Sequence, residues 1–191
     1  MWPVAAVIGE NGGLCFRHDS AASVTYRRYW TDDETRRGAM EWLTALARDI
    51  STTLSGCEIA HDQRYRETTL AFRNSDPAVT EAILSRLRNA GAQTTVNSLW
   101  VLGWFGGFDK LSMTRRVTAE LFSTNIDRDA DAVLYVGDSL NDEPMFGHFP
   151  HSVGVATVRN CLDRLAAPPK WITQGGGGVG FIEVADMLLG C

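Results

Sequence analysis

An α/β fold with a parallel sheet is predicted for the C-terminal part of this 191-residue chain, and two observations carry that prediction. The run Ala132–Val136 is apolar throughout and stops at Gly137, as a strand buried on both faces of a parallel sheet does. From Gly106-Gly107 onward, helical and strand patterns alternate: a helix over 110–123, a strand over 132–136, a short helix near 143–147, a strand over 152–156, and helices over 159–166 and 179–189. Strands joined by crossover helices produce that alternation. A third observation bears on function. Asp138 and Asp142 stand four residues apart just beyond the 132–136 strand, where open α/β sheets bind ligands, and carboxylate oxygens are what Mg²⁺ prefers. The plainer reading of the same residues is an Asx-rich turn.

Residues from about 15 to 107 read as an insertion with its own α+β pattern. Thr31 or Asp32 caps a helix running to Ile50, with Met40, Leu43, Ala47 and Ile50 on one face. Asp76-Pro77 supplies an N-cap and a first-turn proline for a second helix, which Gly91 ends. Strands are predicted over 23–30, 65–73 and 94–105, which are rich in Thr, Tyr, Trp and Val.

Composition narrows the function classes. Hydrophobic residues make up 45% of the chain, enough for a real core, and a net charge of −5 with no long Lys/Arg run leaves no footprint for nucleic acid or an anionic membrane. Cys15, Cys57, Cys161 and Cys191 are scattered without a Cys-x-x-Cys pair, so neither a zinc site nor a disulfide framework is indicated, and a reducing cytoplasm fits best. No stretch approaches the roughly 18 apolar residues that span a bilayer. The histidines show no ligand spacing.

The run Gly137-Asp138-Ser139-Leu140-Asn141-Asp142 resembles the fourth motif of the haloacid dehalogenase (HAD) superfamily of phosphatases. Other stretches resemble the family in chain order. Val7–Gly13 is similar to the strand and Asn-Gly turn after which its sugar-phosphatase branch inserts a cap domain, and Phe108-Asp109-Lys110 to the third motif. Ser152–Ala156 and Trp171–Thr173, with the Gly175–Gly178 run and Gly180-Phe181, are similar to the last strands and the terminal helix. Within the family the Cof-type, sucrose-phosphatase and mannosyl-3-phosphoglycerate-phosphatase branch is the most similar. The resemblance implies a HAD-like Rossmannoid parallel-sheet core built from 1–14 and 108–191, with an inserted α+β cap over 15–107.

It also implies roles. Asp138 would be a Mg²⁺ ligand and Asp142 its partner, binding the ion or orienting its water. Ser139 and Asn141 would hold the loop and contact phosphate, Asn11 would lie near the phosphate pocket, and Lys110 would face the phosphoryl oxygens. Plainer alternatives stand beside these: Lys110 as a solvated lysine, Asn11-Gly12-Gly13 as a turn, and Gly175–Gly178 as a linker. Trp100 and Trp104 read as packing before sugar stacking, and Arg64 and Arg66 as solvated charges before substrate contacts.

The family's first motif, a hydrophobic strand followed by Asp-x-Asp-x-Thr, has no match in this sequence, nor does the strand ending in a phosphate-binding Ser or Thr. Asp127-Arg-Asp129-Ala-Asp131 precedes a strand and reads as a solvated loop. The chain thus begins at what resembles the third core strand, Val4–Ile8, and Met1 is expected to be an internal methionine of a longer enzyme. The implied activity is Mg²⁺-dependent hydrolysis of a small phosphorylated metabolite, a sugar phosphate or phosphorylated sugar acid, through an aspartyl-phosphate whose nucleophile is absent here. The chain alone is then expected to be inactive and poorly stable, since Val4–Ile8 would have no neighbour on the side facing Val133–Val136 and strand edges would stand unpaired. The alternatives are a noncatalytic phosphosugar-binding or interaction protein, and half of a split enzyme completed in trans.

Overall fold

A computed structural model describes residues 4–190; Met1 and Cys191, both singled out in the sequence, lie outside them. The chain divides into two compact units, Met1–Thr114 and Arg115–Cys191.

The first unit opens with β1 (Val7–Gly9), which pairs antiparallel with β2 (Leu14–Asp19), itself paired antiparallel with β3 (Val24–Tyr29). Two expectations change here. The strand expected over Val4–Ile8 is Val7–Gly9, and among the described residues its only partner is β2. β2 itself went unpredicted, because Arg17, His18 and Asp19 dilute its apolar pattern until pairing with β3 selects it. The helix α1 (Asp33–Thr53) starts where predicted, with the Asp32 carboxylate accepting the Thr35 N–H at 2.8 Å and the Thr35 hydroxyl at 2.9 Å.

Next come β4 (Thr69–Arg73), α2 (Pro77–Asn89, capped by Asp76), β5 (Gln93–Val96) and β6 (Trp100–Trp104). The strand expected over 65–73 is shorter because Gln63–Tyr65 turns as a 3-10 helix. The strand expected over 94–105 is two strands, since the Asn97 side chain accepts the N–H groups of Leu99 and Trp100 and closes a turn. Order β4-β6-β5 gives an antiparallel sheet with unlike faces. Leu70, Phe72 and Val101 meet Leu43, Ile50, Ile83 and Leu87 from the two helices. Ala71, Leu102 and Trp104 pack with Phe108 on the other face, where the Trp104 indole donates to the Phe108 carbonyl at 2.8 Å. Trp104 is therefore a core residue. Gly103 is needed for close approach, since a Cβ there would stand 2.9 Å from a Leu87 methyl.

The helix α3 (Lys110–Phe122) leads to the second unit, a parallel sheet of order β7-β8-β9 built from Leu134–Gly137, His151–Gly154 and Trp171–Ile172. α4 (Glu143–His148) follows β7, and α5 (Gly177–Leu189) ends the unit. Where a helix was expected over 159–166, the chain makes a 3-10 run, Ala156–Arg164. Tyr135 and Ile172 from one sheet face pack against Phe146, Val158, Cys161 and Leu165. The glycine run 175–178 is no loose linker. Glu183 accepts the N–H groups of Gln174 and Gly175, and a Cβ on Gly180 would lie 2.3 Å from the Gly175 carbonyl oxygen.

Candidate functional site

The loop after β7 is held from beneath by one carboxylate. Asp142 is 2% exposed, and its Oδ2 accepts the N–H groups of Asp138 and Ser139, each at 2.9 Å. The Ser139 hydroxyl stands 3.1 Å from the same oxygen and 2.7 Å from Asn141 Oδ1. Oδ1 of Asp142 accepts the Tyr135 hydroxyl at 2.5 Å. Burial, together with the facing Asp142 charge, pushes the Tyr135 phenol far above its ordinary range, so it remains a donor. Four donors take up most of a carboxylate's lone-pair positions. Gly137 belongs to the same design, because a Cβ there would lie 2.7 Å from the Asp142 carboxyl carbon.

Asp138 is the opposite case. It is exposed at the end of a parallel strand, and its carboxylate has no protein hydrogen-bond partner among the described residues. One loop thus brings together Asp138, Ser139, Asn141 and Asp142, with one carboxylate spent on the loop and one left facing solvent. The free carboxylate and the hydroxyl and amide beside it form an oxygen-rich donor set that suits a hard cation with several of its own waters. Among the described residues, no group of three or more His, Cys, Asp and Glu side chains is assembled for a metal.

The remaining predicted residues, Asn11 and Lys110, lie in the first unit. Ser112 and Asp109 cap the start of α3 reciprocally: the Ser112 N–H donates to Asp109 Oδ1 at 2.7 Å, and the Asp109 N–H donates to Ser112 Oγ at 2.8 Å. This sets Lys110 in the first helical position, half-buried, against the sign of the helix dipole. The Asn11 turn reaches the same place. Gly12, at φ +110°, lies so close to Asp109 that a Cβ would stand 2.2 Å from its carbonyl oxygen.

Sequence reading missed Glu10. Its Oε1 accepts the Glu67 N–H at 2.8 Å, and its Oε2 accepts the N–H groups and hydroxyls of Thr68 and Thr69 at 2.8–3.0 Å. Glu10 and Asn11 both have positive φ, +47° and +59°, a conformation that costs non-glycine residues energy and that these five hydrogen bonds offset. Arg64 and Arg66, read first as solvated charges, both have partners within the protein: Arg66 pairs with Asp62 at 2.8 Å, and Arg64 lies over the Tyr65 ring.

Comparison with known proteins separates sequence from fold. No family model matches the chain, and no curated protein matches it. Solved structures do match. The sucrose-phosphatase from Synechocystis, solved with sucrose and phosphate, is 12% identical, and the match takes in 98% of this chain and 75% of that one with a TM-score of 0.65. The fold is that of the HAD-like hydrolases. A Thermoplasma acidophilum protein shares this HAD-like fold at 20% identity, with 95% and 71% of the two chains covered and a TM-score of 0.64. A Streptococcus mutans protein, SMU.1108c, matches at 12% identity, 97% and 77% coverage and a TM-score of 0.67. At such identities the shared property is the HAD-like architecture with its cap.

Proposed function

We propose that this chain carries the cation- and phosphate-contacting part of a Mg²⁺-dependent phosphatase acting on a small phosphate monoester, a sugar phosphate or phosphorylated sugar acid. One observation carries this reading: Asp138 presents an exposed carboxylate, unpaired among the described residues, at the carboxyl end of a parallel strand, on a loop that buried Asp142 keeps in shape. The fold match to a phosphatase solved with sucrose and phosphate supports it.

In this reading Asp138 holds the cation directly. Asp142 keeps the 138 and 139 amides aimed and does not itself give up its protein donors. Ser139 and Asn141 offer a hydroxyl and an amide to phosphate oxygens, and Lys110 supplies a compact positive charge to the phosphoryl group. Bound Mg²⁺ would neutralise charge on the transferring oxygens. The attacking carboxylate, an Asp that would take the phosphoryl group from the ester oxygen and pass it to water, is not among these 191 residues. The 191-residue chain is then expected to bind without turning over.

Magnesium titration by calorimetry on the purified chain, alongside a p-nitrophenyl phosphate assay, tests the assignment. The expected outcome is Mg²⁺ binding that Asp138→Asn removes, with thermal stability unchanged within about 0.5 kcal/mol because the side chain is exposed. Binding that survives in Asp138→Asn sinks the metal assignment. Turnover by the wild-type chain that Asp138→Asn abolishes sinks the claim of incompetence.

A further inference from the structure

The first unit keeps a pocket between α1 and the β4 edge of its antiparallel sheet. Met40, Leu43 and Ala47 recur at helical spacing along one face of α1, and with Leu70 of β4 and Ile59 of the preceding segment they wall a space of about 180 Å³. Local chemistry keeps this space open. Ala47 is small and buried, and the segment carrying Ile59 is pinned to β4: the Ala60 N–H donates to the Ala71 carbonyl at 2.9 Å, and the Arg73 N–H donates to the Glu58 carbonyl at 2.7 Å. A segment held on the strand cannot fall back onto the helix, and a void whose surroundings cannot collapse persists.

The polar groups of the pocket divide into spent and unspent. Gln63 lines it, but its side-chain amide donates to the Thr69 carbonyl at 3.0 Å and accepts the Ala71 N–H at 2.8 Å. The Thr44 hydroxyl donates to the Met40 carbonyl at 2.7 Å. A water inside would find few of the polar partners it needs, and apolar cavities of about 150 Å³ stay dry and take up benzene. Arg48 differs. It is exposed, it is the only ionisable residue lining the pocket, and its guanidinium has no ion pair or hydrogen bond among the described residues. The adjacent acid, Asp49, is taken by Arg86 at 3.5 Å.

An apolar hollow with room for one ring and an uncommitted planar cation beside it matches a ligand with the same two halves. We propose that this pocket binds a small aromatic carboxylate, its ring among Met40, Leu43, Ile59 and Leu70 and its carboxylate on Arg48. The same walls reject a sugar, whose buried hydroxyls would be left without partners.

Methyl-resolved NMR titration of the 191-residue chain tests the proposal, with sodium benzoate and, in parallel, benzyl alcohol, which keeps the ring and loses the charge. Benzoate is expected to shift the methyls of Met40, Leu43, Ile59 and Leu70 with a Kd on the order of 1 mM. Benzyl alcohol should shift the same methyls but bind roughly fivefold more weakly. Arg48→Gln, a change at an exposed position, should weaken benzoate by the same factor of roughly five and leave benzyl alcohol unchanged. Ala47→Leu fills the pocket and should remove both ligands; if that variant does not fold, the two probes on wild type and Arg48→Gln decide alone. No shift at these four methyls at concentrations well above the expected Kd overturns the proposal. Equal binding of the two probes overturns it, as does benzoate binding that Arg48→Gln leaves untouched, because the carboxylate then plays no part. Shifts confined to the exposed methyls of α5, such as those of Leu188 and Leu189, overturn it too, since the ring is then held by apolar surface elsewhere.

Discussion

Two carboxylates organise the two units from within: Glu10 beside the β1–β2 turn, and Asp142 beneath the loop after β7. Both gather backbone N–H groups and hydroxyls around one acidic group. They differ in reach. Asp142 draws on Tyr135, Asp138 and Ser139, all within seven residues. Glu10 draws on residues 67–69, fifty-seven to fifty-nine positions away. The local hub shapes a loop and costs little chain entropy to assemble, whereas the distant hub ties two segments together and must offset the closure of a long loop.

If reach sets the importance of each hub, removing Glu10 should hurt most. Glu10→Ala strands donors on Thr68 and Thr69, which are 7% and 0% exposed, and leaves a positive φ with nothing to offset it. Urea unfolding followed on the first unit should show a loss of about 3–4 kcal/mol, with Glu10→Gln roughly halving it. A loss below about 1 kcal/mol would mean that water replaces the carboxylate freely.

Asp142→Ala should cost somewhat less, about 2–3 kcal/mol, because its partners lie nearer a loop surface. Asp142→Asn should cost only about 1 kcal/mol, the amide oxygen keeping the two N–H groups while the amide nitrogen turns to the Tyr135 oxygen. Tyr135→Phe isolates one member of that hub. It retains the ring contacts with Phe146 and Phe149 and should cost about 1 kcal/mol. If Tyr135→Phe proves as damaging as Asp142→Ala, the loop depends on the phenol and not on the backbone donors.

The smallest effect belongs to a third, wholly exposed carboxylate. The Thr35 N–H and hydroxyl hold Asp32 below the usual carboxylate range. A lowered folded-state pKa means that its contribution is present above the ordinary range and is lost as pH falls through the lowered value. The stability difference between wild type and Asp32→Ala should therefore be flat near neutral pH and shrink in acid. Growth of the difference on acidification would show that the uncharged form is the better cap.

These contrasts also separate what could be read along the chain from what could not. Asp138, Ser139, Asn141 and Asp142 were legible because the strand, its end and the loop that it launches are contiguous. The caps at Asp32 and Asp76 were legible for the same reason, since a cap acts within three residues. β2 was not, because its polar residues make a strand only when β3 lies alongside, and neither was the split between β5 and β6, which the Asn97 side chain decides.

The sequence by itself determined the strand-and-helix character of the second unit, the helix starts capped by Asp32 and Asp76 and the acidic loop after β7, because periodicity and capping act over a few residues. Only the tertiary structure decided that Asp142 is spent inward while Asp138 is left outward, that Glu10 clasps 67–69, and that β7 pairs with β8 alone among the described residues. Each depends on which distant groups arrive to satisfy or cover a residue, and a side chain's burial and hydrogen-bond partners are properties of the packed chain, not of its order.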